Sequence, residues 1–342
     1  MRRTGFWTVL ICLLGISALS VVFPAGTEAQ ERPRILKWAT FPPGSVNQVM
    51  TSGMASVTDN YYKTSSRVAS YTGYRDYVPL IEKGEADFGI LNALDAWGAF
   101  NGKVPFYQEK HRDLRLLRTA PAGKNTILVR ADSKFKTVAD LKGAKVAGGY
   151  DAHMVCRFLA EATLATAGLT GKDMTMVPVA TAVPGIQVLM DGRVEASSCA
   201  APGMPIIRET DARVGVRWLP IDTSPEAIRR MRQIFPGAFL DTLKAGEVPG
   251  LKEDIPVVGY HFYLTSSTHT DENTIYQITK ILWDHNEDLF KINPQLKYWT
   301  DDQSVQASVA IPYHPAAIRF YKEKGVWKPE MDKIQQELLS GK

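Results

Sequence analysis

"NTILVRADSKFKTVADLKG", residues 125–143, reads as an alternating apolar stretch, a polar turn and the start of a helix. The same order returns at residues 259–282, "GYHFYLTSSTHTDENTIYQITKIL". Around these two segments, strands and helices alternate. The pattern predicts strands at Ile35–Thr40, Ser66–Ser70, Phe88–Asn92, Asn125–Arg130, Lys145–Gly148, Met174–Val179, Ala196–Ala200, Val216–Pro220 and Val258–Thr265. Helices are predicted between most of them, at Val46–Lys63, Tyr74–Lys83, Val155–Ala167, Val183–Asp191, Thr223–Ile234 and Asn273–Leu289. This alternation predicts α/β sheets with helices on their faces. Two such strand–turn–helix segments in a chain of 342 residues suit a two-domain clamp. One carries the chain out to a second domain and the other returns it. The crossings are expected near residues 125 and 256. Residues 30–125 and 256–342 then form one domain, and residues 126–255 the other. Ligands of open α/β sheets bind outside the carboxyl ends of the strands. Two domains facing each other there make a closable cleft.

The chain begins with Arg2 and Arg3, an apolar run from Phe6 to Phe23, and a small polar stretch from Pro24 to Gln30. That is the three-part pattern of a secretory signal peptide, with cleavage expected after Thr27-Glu28-Ala29. The remainder is expected to be periplasmic and monomeric. The formal net charge of +4 is modest and the basic residues are scattered, so nothing calls for nucleic acid. Cys156 and Cys199 remain after the leader. They read as small buried hydrophobes; an exported chain can also pair them, and the sequence does not decide.

Five stretches, in order, resemble the TAXI class of solute-binding proteins, the extracytoplasmic receptors of tripartite TRAP transporters. They are "EKGEADFGILNALDAWGAFNG" (82–102), "VRADSKFKTVADLKGAKVA" (129–147), "LMDGRVEASSCAAPGMPIIRE" (189–209), "AGEVPGLKEDIPVVG" (245–259) and "IPYHPAAIRFYKEKGVW" (311–327). The resemblance implies a type II-like periplasmic-binding-protein clamp with two crossover strands. It also implies capture of a small organic anion, delivered to a TRAP permease. The loops depart from the family. The first loop reads Thr40-Phe41-Pro42-Pro43-Gly44-Ser45 where Gly, Ser and Thr are usual. Tyr150-Asp151-Ala152-His153-Met154 stands where Ser-Gly is usual. The ligand therefore does not carry over with the fold.

The residues suggest where a ligand sits. Ser45 or Asn47 can cap the helix that follows, whose free N–H groups and dipole favour a carboxylate. Gly148 and Gly149 allow close backbone approach, His153 can donate to an anion, and Arg157 lies one turn further on. The expected anion site lies between Ser45 and the His153–Arg157 face, with Tyr150 and Met154 shaping the pocket. Asn92 ends a strand with Asp95 in the next turn, and the resemblance places a ligand-proximal residue here. Tyr71 is a candidate for stacking, Met204 and Tyr260 weaker ones. No residues with catalytic, metal or cofactor spacing were found: the histidines lack a metal motif, and there is no nucleophile elbow or phosphate loop. The alternatives are a receptor for an ABC importer of sulfonate-like or heterocyclic solutes, and an exported enzyme on the same scaffold. His314, in "PYHPAAIRFYKE", reads as structural.

Overall fold

A computed structural model describes residues 35–341 except Gly44, 104–106, Ala152 and Gly203. The expected signal peptide lies outside the described residues. Among them, no helix is long and apolar enough to cross a membrane.

The chain opens with β1 (Ile35–Thr40), α1 (Val46–Tyr62), β2 (Ser65–Ser70), α2 (Tyr74–Glu82), β3 (Phe88–Asn92) and α3 (Ala93–Asn101). The long strand β4 (Leu114–Arg130) leads to β5 (Lys145–Gly149), α4 (Met154–Thr166), β6 (Thr175–Val179), α5 (Ala182–Met190), β7 (Ala196–Ala200), α6 (Pro205–Val214), β8 (Val216–Leu219), α7 (Pro225–Ile234) and β9 (Phe239–Leu243). A second long strand, β10 (Ile255–Ser267), precedes α8 (Glu272–Asp284), α9 (Asn286–Ile292), α10 (Pro315–Glu323) and α11 (Pro329–Ser340).

The ten strands form one hydrogen-bonded path, β2-β1-β3-β10-β4-β7-β5-β6, with β8 also on β4 and β9 also on β10. β1 runs parallel to β2 and β3, and β10 is antiparallel to β3 with Phe262 opposite Asn92. Among the described residues, β4 is the strand that links the two halves of this path. It pairs with β10 from Leu114 to Asn125. One residue later it changes partners, with Thr126 opposite Ala200 of β7 and Ile127 opposite Leu219 of β8.

β4 begins eleven residues before the predicted Asn125. Pro121 and Gly123 break the sequence pattern, since proline cannot donate to a ladder. The structure accommodates Pro121 opposite His261, where the register shifts between Tyr260 and His261. Such irregularities are where a sheet tolerates proline. The predicted helix Asn273–Leu289 is also broken, at His285, whose ring stacks on Tyr61 at 3.4 Å.

Each half has an apolar cluster of its own, and a further cluster draws on both. In the first, Leu36, Trp38, Phe88 and Ile90 meet Met50, Met54 and Val57 of α1 and Ile275, Ile278 and Leu282 of α8. Each such side chain contributes about 1.5–3 kcal/mol when fully buried. In the second, Leu128, Ala147 and Trp218 pack on Ile186 and Leu189 of α5. Buried Arg118 closes the first half by donating to the carbonyls of Leu282 and Trp299 and pairing with Asp301 at 3.3 Å. The reading of Cys156 and Cys199 as separate hydrophobes is corrected. They form a disulfide that ties the first turn of α4 to β7, among Tyr150, Ala160 and Ala182. Only the tertiary fold brings residues 43 apart in sequence to a Cα separation of 5.8 Å.

Candidate functional site

Strand ends and helix starts converge at the carboxyl edge of β1 and β3. Ser45 caps α1 by accepting from the Gln48 N–H at 3.1 Å, and its own hydroxyl donates to the Pro42 carbonyl at 2.8 Å. Two residues on, Asn47 is buried and ties the edge together. Its Nδ2 donates to the Ile90 carbonyl at 3.0 Å and the Tyr74 hydroxyl at 3.3 Å. Its Oδ1 accepts from Thr40 at 3.3 Å and Thr51 at 3.5 Å. An amide with all its capacity taken is a scaffold for the site more than a ligand hook.

Asn92 ends β3 and caps α3, its Oδ1 accepting from the Asp95 N–H at 2.9 Å. Its Nδ2 donates to Asp95 Oδ2 at 2.8 Å. Asp95 is 8% exposed. Burial raises its pKa to about 6, against the opposing influence of the Asn92 hydrogen bond and the Arg75 charge. Burial, followed by the charge of Asp95, also raises the pKa of the Tyr74 and Tyr107 phenols. Tyr107 is 6% exposed, and its hydroxyl has no hydrogen-bond partner among the described residues.

An aromatic wall stands beside these polar groups. Phe41 packs on Tyr74 at 4.5 Å and Tyr77 at 6.1 Å, and Tyr71 on Tyr77 at 5.9 Å. Tyr77 anchors the wall by donating to the Ile90 carbonyl at 2.5 Å. Tyr260 of β10 faces Phe235 at 5.8 Å, and burial lifts its phenol to about 12. It lines a cavity of about 320 Å³ with Pro121, Gly123, Lys124, Ala201 and Asp241. The cavity thus opens where β4 changes partners, against the end of β7.

The other expected site residues lie in the second half. Tyr150 is fully buried, with a left-handed backbone (φ 52°) that is unusual outside glycine. Its hydroxyl donates to the Ala147 carbonyl at 3.2 Å and accepts from the Cys199 N–H at 3.0 Å and Ser198 at 3.3 Å. It therefore supports the β5–β7 edge from within. His153 starts α4 with its side chain exposed and makes no capping bond. Arg157 is 45% exposed and shares its charge between Glu161 at 3.0 Å and Asp151 at 4.0 Å. It borders a cavity of about 460 Å³ with Leu164, Leu169, Met176 and Ile234, on the α4 side of this half. Met154 and Met204 are half-buried against the apolar clusters. His314 accepts at Nδ1 from the Ala316 N–H at 3.1 Å, capping α10 as a structural residue would.

Sequence reasoning singled out Asn92, Asp95, Asn47 and Tyr71, which the fold gathers at one edge. It missed Phe41, Tyr74 and Tyr107. Tyr74 carried a signal, one helical turn after Tyr71 at a helix start; Tyr107 carried none. Among the described residues, no cluster of His, Cys, Asp and Glu has the geometry to hold a metal ion.

Solved structures are similar to this chain. The TctC solute binding protein from Polaromonas is 16% identical, with 90% of this chain and 97% of that one covered and a TM-score of 0.53. The periplasmic aliphatic sulphonate binding protein SsuA from Escherichia coli is 17% identical over 89% and 92% of the two chains, with a TM-score of 0.46. PhnD1 from Prochlorococcus marinus, solved with methylphosphonate, is 11% identical over 86% and 100%, with a TM-score of 0.45. The α/β fold is that of the TctC solute binding protein. The model of the NMT1-like family matches residues 39–325, which include both halves of the strand path and every site residue described above; the chain belongs to the NMT1-like family.

Proposed function

We propose that the protein is an extracytoplasmic solute receptor of the TAXI class. It captures a small organic solute between its two halves and delivers it, as a monomer, to a TRAP permease for secondary uptake. The observation that carries this reading is the convergence of Asn92, Asp95 and an aromatic wall at the carboxyl end of β3. The five ordered stretches supply the TRAP connection, and the Cys156–Cys199 disulfide suits an oxidising compartment. In this reading residues 30–125 with 256–342, and residues 126–255, are the closing lobes. The hinge is the point where β4 changes partners beside the Tyr260/His261 register shift. Capture needs only a higher affinity in the closed state than in the open one.

The sequence alone points to an organic anion between the Ser45 helix start and the His153–Arg157 face. The two acidic partners of Arg157 weaken that arrangement, and the groups around Asp95 are the better guide to the solute.

The test is uptake into proteoliposomes carrying the candidate permease, with solute identified by mass spectrometry of the protein purified from its native host. Transport that needs this receptor and an ion gradient, without ATP, supports the proposal. A requirement for ATP would replace the TRAP partner by an ABC importer. A receptor that carries no solute and binds none in a broad metabolite screen would end the receptor reading.

A further inference from the structure

The edge around β3 has hydrogen-bonding capacity that the protein leaves unused. The buried Asp95 carboxyl accepts from Asn92 at Oδ2. The Tyr107 hydroxyl is enclosed without a partner, and after burial the charge of Asp95 is the strongest influence on it. A buried polar group left unpaired costs about 1–3 kcal/mol, so the Tyr107 hydroxyl beside the Asp95 charge marks a position that a ligand completes.

The charge balance says what kind of ligand. The carboxyl of Asp95 is buried, whereas Arg75, the cation that acts on it, sits on an exposed side chain. The cavity beside Tyr260 is lined by Asp241, Glu247 and Lys124. Lys124 is occupied within the protein, 2.7 Å from the Thr242 carbonyl and 3.4 Å from Glu247. An anion brought to Asp95 would meet a carboxyl group in a low-dielectric setting. A nitrogen bearing N–H bonds meets a carboxyl oxygen, a phenol and aromatic faces, all of which favour it.

We propose that the β3 edge selects a solute with a cationic or N–H-donating nitrogen on a flat apolar body. The nitrogen donates to the Asp95 carboxyl, the Tyr107 hydroxyl takes a second polar contact, and the body lies against Phe41, Tyr71 and Tyr74. This rests on the receptor reading and names its solute class.

The experiment compares body-matched pairs by thermal shift and calorimetry at millimolar concentration: tryptamine against indole-3-propionate, and phenethylamine against 3-phenylpropionate. The amines should stabilise the protein and the carboxylates should not. Asp95→Asn, nearly identical in shape, should weaken amine binding by about 10–100-fold, the loss expected for a charge-assisted hydrogen bond. Tyr107→Phe keeps the buried ring and should weaken it about tenfold. Carboxylates that bind as well as the amines, amine binding indifferent to both substitutions, or no binding by either amine would each overturn the proposal. Carboxylate binding alone would leave the receptor reading standing. A blank metabolite screen would remove both.

Discussion

Asp95→Asn should make the ligand-free protein more stable at neutral pH, and the size of the gain follows from burial. An unfolded aspartate titrates near 3.9 and the folded one at about 6, a difference of about 2 pH units. At about 1.4 kcal/mol per unit, that is about 3 kcal/mol. The direction follows from proton binding. The folded carboxyl holds its proton more tightly than the unfolded one, so its contribution is fully present below about pH 4. It is lost as pH rises through 6, and above that the folded chain carries a buried charge that opposes folding. Asparagine never ionises, and its carbonyl can still accept from Asn92. It forgoes the attraction between a carboxylate and the start of α3, about 0.3–1 kcal/mol. Denaturant melts of both proteins at several pH values between 4 and 8 isolate this group, because other titrations common to both cancel. The two should be nearly equal at pH 4, with the variant about 2–3 kcal/mol ahead at pH 8. A gap that does not change with pH, or a variant that falls further behind as pH rises, would refute the burial argument. A group that destabilises its own fold is what a binding site tolerates when the ligand supplies the missing partner.

Cys156→Ala with Cys199→Ala should cost about 4 kcal/mol, from the chain entropy of a loop closed by residues 43 apart. The wild type should lose about as much in reductant while the double variant loses nothing, and a wild type indifferent to reductant would contradict the pairing. Asn47→Ala should cost about 2–4 kcal/mol, because it strips partners from the Ile90 carbonyl and from Thr40, Thr51 and Tyr74. Ser45→Ala should cost about 1 kcal/mol, the value of a single helix cap, and equilibrium unfolding that reverses this order would sink the account of the edge. His261 is buried, its Nδ1 has no hydrogen-bond partner among the described residues, and burial lowers its pKa to about 4. Stability should therefore fall by up to about 3 kcal/mol as pH drops from 6.5 towards 4, and His261→Gln should flatten that slope in melts over the same range.

Features set by local pattern were legible in the sequence; those set by the sign of one dihedral or by distant packing were not. Asn92 could be placed because a strand end followed by a helix start positions the side chain between them. Tyr150 occupies the same kind of position, yet its positive φ turns the ring inward beneath Ser198 and Cys199, and no periodicity reports that sign. Arg157 looked available because its helix starts at a strand end. Its partner Glu161 stands four residues on, in the spacing that pairs charges along a helix, so that outcome could have been read. The first half of β4 was hidden by Pro121 and Gly123, which count against a strand unless the partner strand is known to be irregular opposite them. Tyr107 reaches the site by a route that leaves no repeat, spacing or cap to recognise.

Tyr260 shows how the site and the strand shared by both halves are joined. A Cβ on Gly123 would lie 2.9 Å from the Tyr260 ring, so the absence of a side chain there lets the ring settle on β4. The residue precedes the register shift in β10, where ladder pairing is interrupted, and β4 changes partners within three residues of Gly123. In the first half, Tyr74 is half-buried and its hydroxyl is bonded to Asn47. A solute of the proposed class that also reached Tyr260 would press on the strand pair at its least regular point. In the proposed clamp, any difference in how Tyr260 sits on Gly123 with the site filled or empty would become a difference in the relative stability of open and closed arrangements, and only such a difference lets a ligand shift that equilibrium.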